Sequence, residues 1–169
     1  EAKFTLVVKN YESVHKVKDR DFDVVILDEA HELGQFPKPN GKQKAVRQLI
    51  KEMKTAPAFI FLSGTPNPES YSQIYHQFWV TGKGPFTRYK NFYGWAGDYV
   101  RIYQRAFNGY LTNDYRYANE GKVRLAVDPL MITLTQEEAG FENFEIEENI
   151  VRVPMPDIIP MIIRALRTN

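Results

Sequence analysis

The sequence predicts an α/β domain built on a parallel sheet, carrying a helical, aromatic-rich insertion. Two observations lead there. Three short apolar runs, Phe4 to Val8, Asp23 to Leu27 and Ala58 to Leu62, are nearly continuous rather than alternating, as expected of strands covered on both faces by helices. Residues 81 to 124 then concentrate eight Lys or Arg against three acids, and eleven of the 23 aromatic residues fall between Phe86 and Tyr117.

Each element has its own signal. The first run passes into Asn10-Tyr11-Glu12-Ser13, a strand followed by a turn. The second runs directly into Asp28-Glu29-Ala30-His31. Between the second and third, Gly41 to Lys54 repeats Ala45, Val46, Leu49, Ile50 and Met53 at helical spacing, which makes it the crossover helix of a βαβ unit. The third run ends in Ser63-Gly64-Thr65-Pro66, after which Asn67 is expected to cap a helix with Pro68 in its first position and an apolar stripe of Tyr71, Ile74, Tyr75, Phe78 and Trp79. Asp98 is expected to cap a further helix with Tyr99, Ile102, Tyr103, Ala106 and Phe107 on one face. Gln136 to Asn149 holds six Glu and no basic residue, a pattern that reads as a solvated face, and Val151 to Asn169 has three prolines and an amphipathic end. The expected divisions are a core over residues 1–80, an insertion over 81–124, and a closing strand with the start of a linker over 125–169.

Composition narrows the function. The 169 residues carry a net charge of +1 and no cysteine, which excludes disulfide scaffolds, thiolate zinc sites and cysteine nucleophiles. The near-zero charge argues against a polybasic binder, so any charged surface is local. No apolar run approaches a membrane span and no signal-peptide pattern opens the chain, so an intracellular protein, cytoplasmic or nucleoid-associated, with no membrane partner is expected.

The chemistry concentrates at two strand ends. Ligands of open α/β sheets bind beyond the carboxyl ends of the strands. Of the two adjacent acids there, one can hold Mg²⁺, a hard ion that favours a few carboxylate oxygens together with phosphate oxygens. The other can position or deprotonate an attacking water. A zinc helix of the H-E-x-x-H type fails, because Gln35 stands where the second histidine is needed and only His15 and His76 remain elsewhere. His15 reads as a surface residue and His76 as a structural one.

D-E-A-H at Asp28 to His31 and S-G-T-P at Ser63 to Pro66, in this order and separation, resemble the DEAH/DEAD-type superfamily-two helicases, and especially the Swi/Snf-type DNA translocases. Val7 to Ser13 looks like that family's motif between the nucleotide loop and the acidic box, and Val127 to Glu138 is similar to the stretch that closes its first motor lobe. The resemblance implies a RecA-like P-loop NTPase lobe acting with ATP and Mg²⁺. Asp28 would hold the Mg²⁺ and Glu29 would orient or activate the hydrolytic water. His31, with Ser63, Gly64 and Thr65, would couple nucleotide state to the nucleic-acid site and to a second RecA-like lobe. Asn10, Tyr11 and Ser13 would touch a nucleic-acid backbone, with duplex DNA expected ahead of RNA.

Lys83, Arg88 and Lys90, in a Gly/Pro-rich entry loop, are further contact candidates, as are Lys38, Lys42 and Lys44 after the acidic box. A phosphate-cradling G-x-x-x-x-G-K-[ST] is absent from the 169 residues. On the resemblance it is expected upstream of Glu1, with the second lobe beyond Asn169, so the chain alone is expected to hydrolyse little. The alternative is a non-enzymatic module, derived from such a lobe, that binds nucleic acid or protein.

Overall fold

The computed structural model describes residues 4–107, 109–135, 137, 138 and 140. The chain divides into a unit spanning Glu1–Met131 and a second spanning Ile132–Asn169. The first is a mixed α/β fold with a two-stranded parallel sheet, an antiparallel hairpin and a large aromatic cluster among helices.

Strands β1 (Val24–Leu27) and β2 (Ala58–Phe61) pair in parallel with Val24 opposite Ala58 and Leu27 opposite Phe61. Helix α1 (Gly41–Lys51) makes the crossover. It starts at Asn40 because the Asn40 side chain accepts from the Gln43 amide at 3.0 Å while Gln43 Oε1 accepts from the Asn40 amide at 2.7 Å, a reciprocal cap that satisfies two otherwise orphaned donors. Its apolar stripe and the inward residues Val25, Leu27 and Phe61 enclose a core with Val14, Leu33, Val46 and Val80.

Three expectations about this layer need correction. Phe4 to Val8 forms no strand, and Phe4, Leu6 and Val8 are exposed, because β propensity without a ladder partner does not hold a strand. Among the described residues the sheet is covered on one face only, with Val24 and Ile26 48% and 55% exposed. The helix after Ser63 begins later than Asn67: α2 runs Gln73–Thr81. The Ser70 and Ser72 hydroxyls donate to the Arg116 and Tyr115 carbonyls at 2.6 and 2.5 Å, and Gln73 Oε1 accepts from the Glu69 and Ser70 amides, so the chain turns there before it coils.

The aromatic cluster joins α2 to α3 (Phe92–Tyr99) and α4 (Glu120–Val127) through Tyr75, Phe86, Phe92, Trp95 and Val123. Trp95 stacks on Tyr99 with ring centroids 5.1 Å apart, and such pairs add about 0.5–1.5 kcal/mol beyond the area they bury. Asp98 does not start a helix. It lies in the last turn of α3, which Asn91 caps, and the residues expected to follow it as a helix instead form β3 (Tyr103–Phe107), paired antiparallel with β4 (Tyr110–Asp114). Phe107 pairs with Tyr110 and Gly109 sits at φ 79°, and the Asn-Gly dipeptide in the sequence is the strongest short hairpin signal. The insertion is therefore not wholly helical.

Residues 125–130 belong to α4 and a 3₁₀ turn, Asp128–Leu130. In the second unit Thr135 and Glu138 cap each other reciprocally, at 2.8 and 3.1 Å. The remainder of the Glu-rich stretch and of the expected closing strand and linker lies outside the described residues.

Candidate functional site

β1 ends with Leu27 buried, which delivers Asp28 and Glu29 to the carboxyl rim of the sheet. Glu29 adopts the left-handed conformation at φ 48°, ψ 48°, which few non-glycine residues occupy and which concentrates at functional turns. The bend is held from both sides: the Glu29 amide donates to Asp28 Oδ1 at 3.0 Å, and the Ala30 amide donates to the Leu62 carbonyl at 2.9 Å. A 3₁₀ turn, Ala30–Leu33, follows. Ala30 and Leu33 are buried in the sheet core, which fixes where His31 points.

His31 joins the two strand ends. Its Nδ1 lies 3.0 Å from Ser63 Oγ and 3.2 Å from Glu29 Oε2, and Ser63 Oγ accepts from the Thr65 amide at 3.3 Å. Asp28, Glu29, His31, Ser63 and Thr65 therefore share one rim, across the crossover. Gly64 is open, with no atom within 4 Å of where a Cβ would stand.

The Asn10-Tyr11-Ser13 segment comes to the same rim. Asn10 caps the 3₁₀ helix Tyr11–Lys16 by accepting from the Ser13 amide at 3.1 Å, and the Tyr11 hydroxyl donates to the Asp28 carbonyl at 2.5 Å. Burial first, then the charges of Asp28, Glu32 and Glu29, push the Tyr11 hydroxyl up to about 12, so it remains a donor at neutral pH. Lys42, a candidate contact for DNA, is engaged within the protein: its Nζ bridges Glu12 and Glu32 at 2.7 Å each, tying the first 3₁₀ helix to the turn that carries His31. Lys38 and Lys44 are exposed.

The entry-loop candidates lie elsewhere. Lys83 Nζ donates to the Pro57 carbonyl at 2.9 Å and sits 5.1 Å from the Phe59 ring. Arg88 stands 4.7 Å over Tyr89 and faces Asp98 at 3.7 Å. Lys90 is exposed, on the rim of a small cleft of about 90 Å³ with Arg47 and Tyr75.

Comparison with family models, with curated proteins and with solved structures gives no match.

The residues present can be tested against ATP and Mg²⁺. Among the described residues no group of three or more His, Asp or Glu is arranged to hold a metal by protein ligands alone. Two adjacent carboxylates at an open rim instead suit a hard cation that arrives with phosphate and water oxygens of its own. The donor set thus fits the cation end of a metal–nucleotide. The phosphate end has no counterpart, since no G-x-x-x-x-G-K-[ST] loop occurs in the sequence.

Two contributors carry little sequence signal. Gln43 is fully buried, and its Nε2 donates to the Leu33 and Gln35 carbonyls at 2.6 and 3.0 Å, clamping the segment after His31 to α1. Next to His31 lies a cavity of about 610 Å³, walled on one side by His31, Glu32 and Asn40 and on the other by the hairpin residues Arg105, Thr112 and Asp114. The hairpin side is absent from the sequence expectations, and the signal that points to it is the Asn108-Gly109 dipeptide.

Proposed function

We propose that this chain is part of a first RecA-like motor lobe of an ATP-dependent nucleic-acid translocase or helicase of the Swi/Snf-like group. The observation that carries this reading is the convergence of D-E-A-H and S-G-T-P on one rim, with His31 Nδ1 3.0 Å from Ser63 Oγ. Bound Mg·ATP would supply the cation and the scissile phosphoanhydride. Asp28 would hold the cation through its exposed carboxylate, and Glu29, fixed by its left-handed turn, would orient the water. His31 and Ser63 would link that acid to the second strand end, so that a change at one rim loop is felt at the other. Duplex DNA and a second RecA-like lobe are the partners of this reading, and an intracellular setting goes with it.

A non-enzymatic interaction module derived from such a lobe is the second reading. This reading needs no phosphate loop, and none of the G-x-x-x-x-G-K-[ST] type occurs within the 169 residues, which by themselves lack phosphate-binding interactions worth several kcal/mol in the transition state.

Sequencing the native reading frame on both sides of the 169 residues separates the two. An in-frame G-x-x-x-x-G-K-[ST] upstream and a second lobe downstream support the motor reading. In the protein encoded by that frame, Glu29→Gln should abolish turnover while leaving ATP binding largely intact. Substantial residual ATPase removes Glu29 from its role. A start codon just before Glu1 and a stop just after Asn169 transfer the lead to the interaction module.

A further inference from the structure

Arg47 is a half-buried cation on α1 without an acid to answer it. Its Nη1 donates to the carbonyl of Trp79, in the last turn of α2, and its guanidinium carbon stands 4.2 Å from the centre of the Trp79 ring. These contacts occupy one nitrogen and one face. Among the described residues Arg47 Nε and Nη2 make no hydrogen bond and no carboxylate pairs with the group, whereas Arg20, Arg88, Arg105, Arg116 and Arg124 each face an acid. Burial pulls the Arg47 guanidinium below its ordinary value, and the one charge opposing this is that of Tyr75. A cation withdrawn from water without a counter-charge is costly, and folds pair such groups.

Arg47 lines the small cleft of about 90 Å³ between α1, α2 and the entry loop. No Asp or Glu lines it. Lys90, exposed at its rim, adds a second positive charge and, among the described residues, forms no ion pair. The walls are mostly ring carbon, from Tyr75, Phe78, Trp79 and Phe86. Tyr75 is 1% exposed and its hydroxyl has no partner among the described residues. Two cations without an acid, set between aromatic rings, make a slot that is positive at its polar end and apolar along its sides.

We infer that this cleft binds a carboxylate on a short apolar stem, free or at the end of a peptide, with the carboxylate on Arg47 and Lys90 and the stem between the rings. The planar guanidinium fork matches the two oxygens of a carboxylate, and its Nε and Nη2 are the donors left unspent. Size sets the stem. A cavity of about 150 Å³ takes a benzene ring, so one of about 90 Å³ takes a carboxylate with a stem of about two carbons. Walls of ring carbon also select against phosphate, whose remaining oxygens would be left without donors. This assignment does not rest on the ATP reading: no residue of the cleft belongs to the strand-end rim, and its failure would leave those motifs untouched.

The test titrates the isotope-labelled 169-residue chain with sodium propionate at constant ionic strength, following the Arg47 Nε–H, Gly82 and Thr87 resonances by NMR. They should shift together and saturate, with a midpoint of about 1 mM, an affinity within reach of so small a ligand. Propionamide, the neutral analogue, should leave them in place. Arg47→Lys, which keeps the charge and loses the fork, should weaken binding by about tenfold or more. Lys90→Gln, a change at an exposed residue that leaves the fold alone, should weaken it by about threefold, while Lys51→Gln, the same charge loss elsewhere on α1, should bind as the parent does. Acetyl-glycyl-alanine carries the carboxylate at a peptide end: binding weaker than that of propionate supports a free acid as the source, and tighter binding supports a chain terminus. The inference is overturned if no resonance saturates, if propionamide produces the same shifts, if inorganic phosphate saturates them at lower concentration, or if Lys90→Gln and Lys51→Gln bind alike.

Discussion

His31 Nδ1 lies 3.0 Å from Ser63 Oγ, and this contact joins the end of β1 to the end of β2 across 32 residues of sequence. Either tautomer makes the bond, the imidazole donating to the hydroxyl or the hydroxyl donating to it, so the junction survives a change in which nitrogen carries the proton. The polypeptide around the contact is arranged to hold it, and that arrangement can be probed one residue at a time.

Glu29 is held at φ 48°, where a side chain costs about 1–3 kcal/mol and glycine costs little beyond its own chain entropy. Glu29→Gly should therefore leave the fold as stable or raise it by up to about 1–2 kcal/mol in urea denaturation, while Glu29→Ile should lower it. A glycine variant that loses stability would show that the left-handed turn carries no strain.

Gln43→Ala removes a fully buried amide that donates to the Leu33 and Gln35 carbonyls and accepts from the Asn40 amide. The expected loss is about 2–4 kcal/mol, because partners are left unsatisfied in a dry site. Urea midpoints at constant slope measure it, and a loss below about 1 kcal/mol would mean water takes over those bonds.

A Cβ added at Gly34 would stand 2.8 Å from Gln73 Cβ and 2.9 Å from the His31 carbonyl oxygen. Gly34→Ala should push the His31 turn away from α2 and cost about 1–3 kcal/mol. The His31 imidazole resonances in NMR should move as well, and unmoved resonances would show that the strain is absorbed on the α2 side.

His76 is 2% exposed, its Nδ1 has no partner, and burial pushes the imidazole down to about 4, assisted by the charge of Arg47. The unfolded chain takes up this proton near pH 6.5 whereas the folded chain does not until about pH 4. The contribution is therefore complete above pH 6.5 and is lost as pH falls toward 4, by up to about 3 kcal/mol. His76→Phe, which keeps a ring in the stack on Phe92, should flatten the stability profile in that window. An unchanged slope would assign the acid sensitivity to other groups.

Sequence patterns gave away the parts of this fold that depend on local order. β1, α1 and β2 are legible because a continuous apolar run and a 3.6-residue stripe each act within a few residues, although the stripe read over Gly41 to Lys54 ends in the structure at Lys51. The meeting of Asp28, Glu29 and His31 with Ser63 and Thr65 followed, since a right-handed crossover returns parallel strands with their carboxyl ends together. What escaped depends on partners at a distance. Phe4 to Val8 has strand composition and no ladder, Lys42 is neutralised by Glu12 and Glu32, and Ser70 and Ser72 are captured by carbonyls of Arg116 and Tyr115. The hairpin was missed for another reason: Tyr99, Ile102, Tyr103 and Phe107 fit a helical stripe by chance, and Asn108-Gly109 outweighed it.

Trp79 packs against the sheet core and against the aromatic cluster at once, with the Arg47 guanidinium 4.2 Å above its ring and His76 edge-on at 5.5 Å. One indole thus serves as a shared wall, and neither hydrophobic body can come apart without uncovering the other. The parallel layer and the helices around Trp95 should melt as a single cooperative body, with one calorimetric peak and a coincident change in tryptophan emission, so that damage to either half is felt as loss of both.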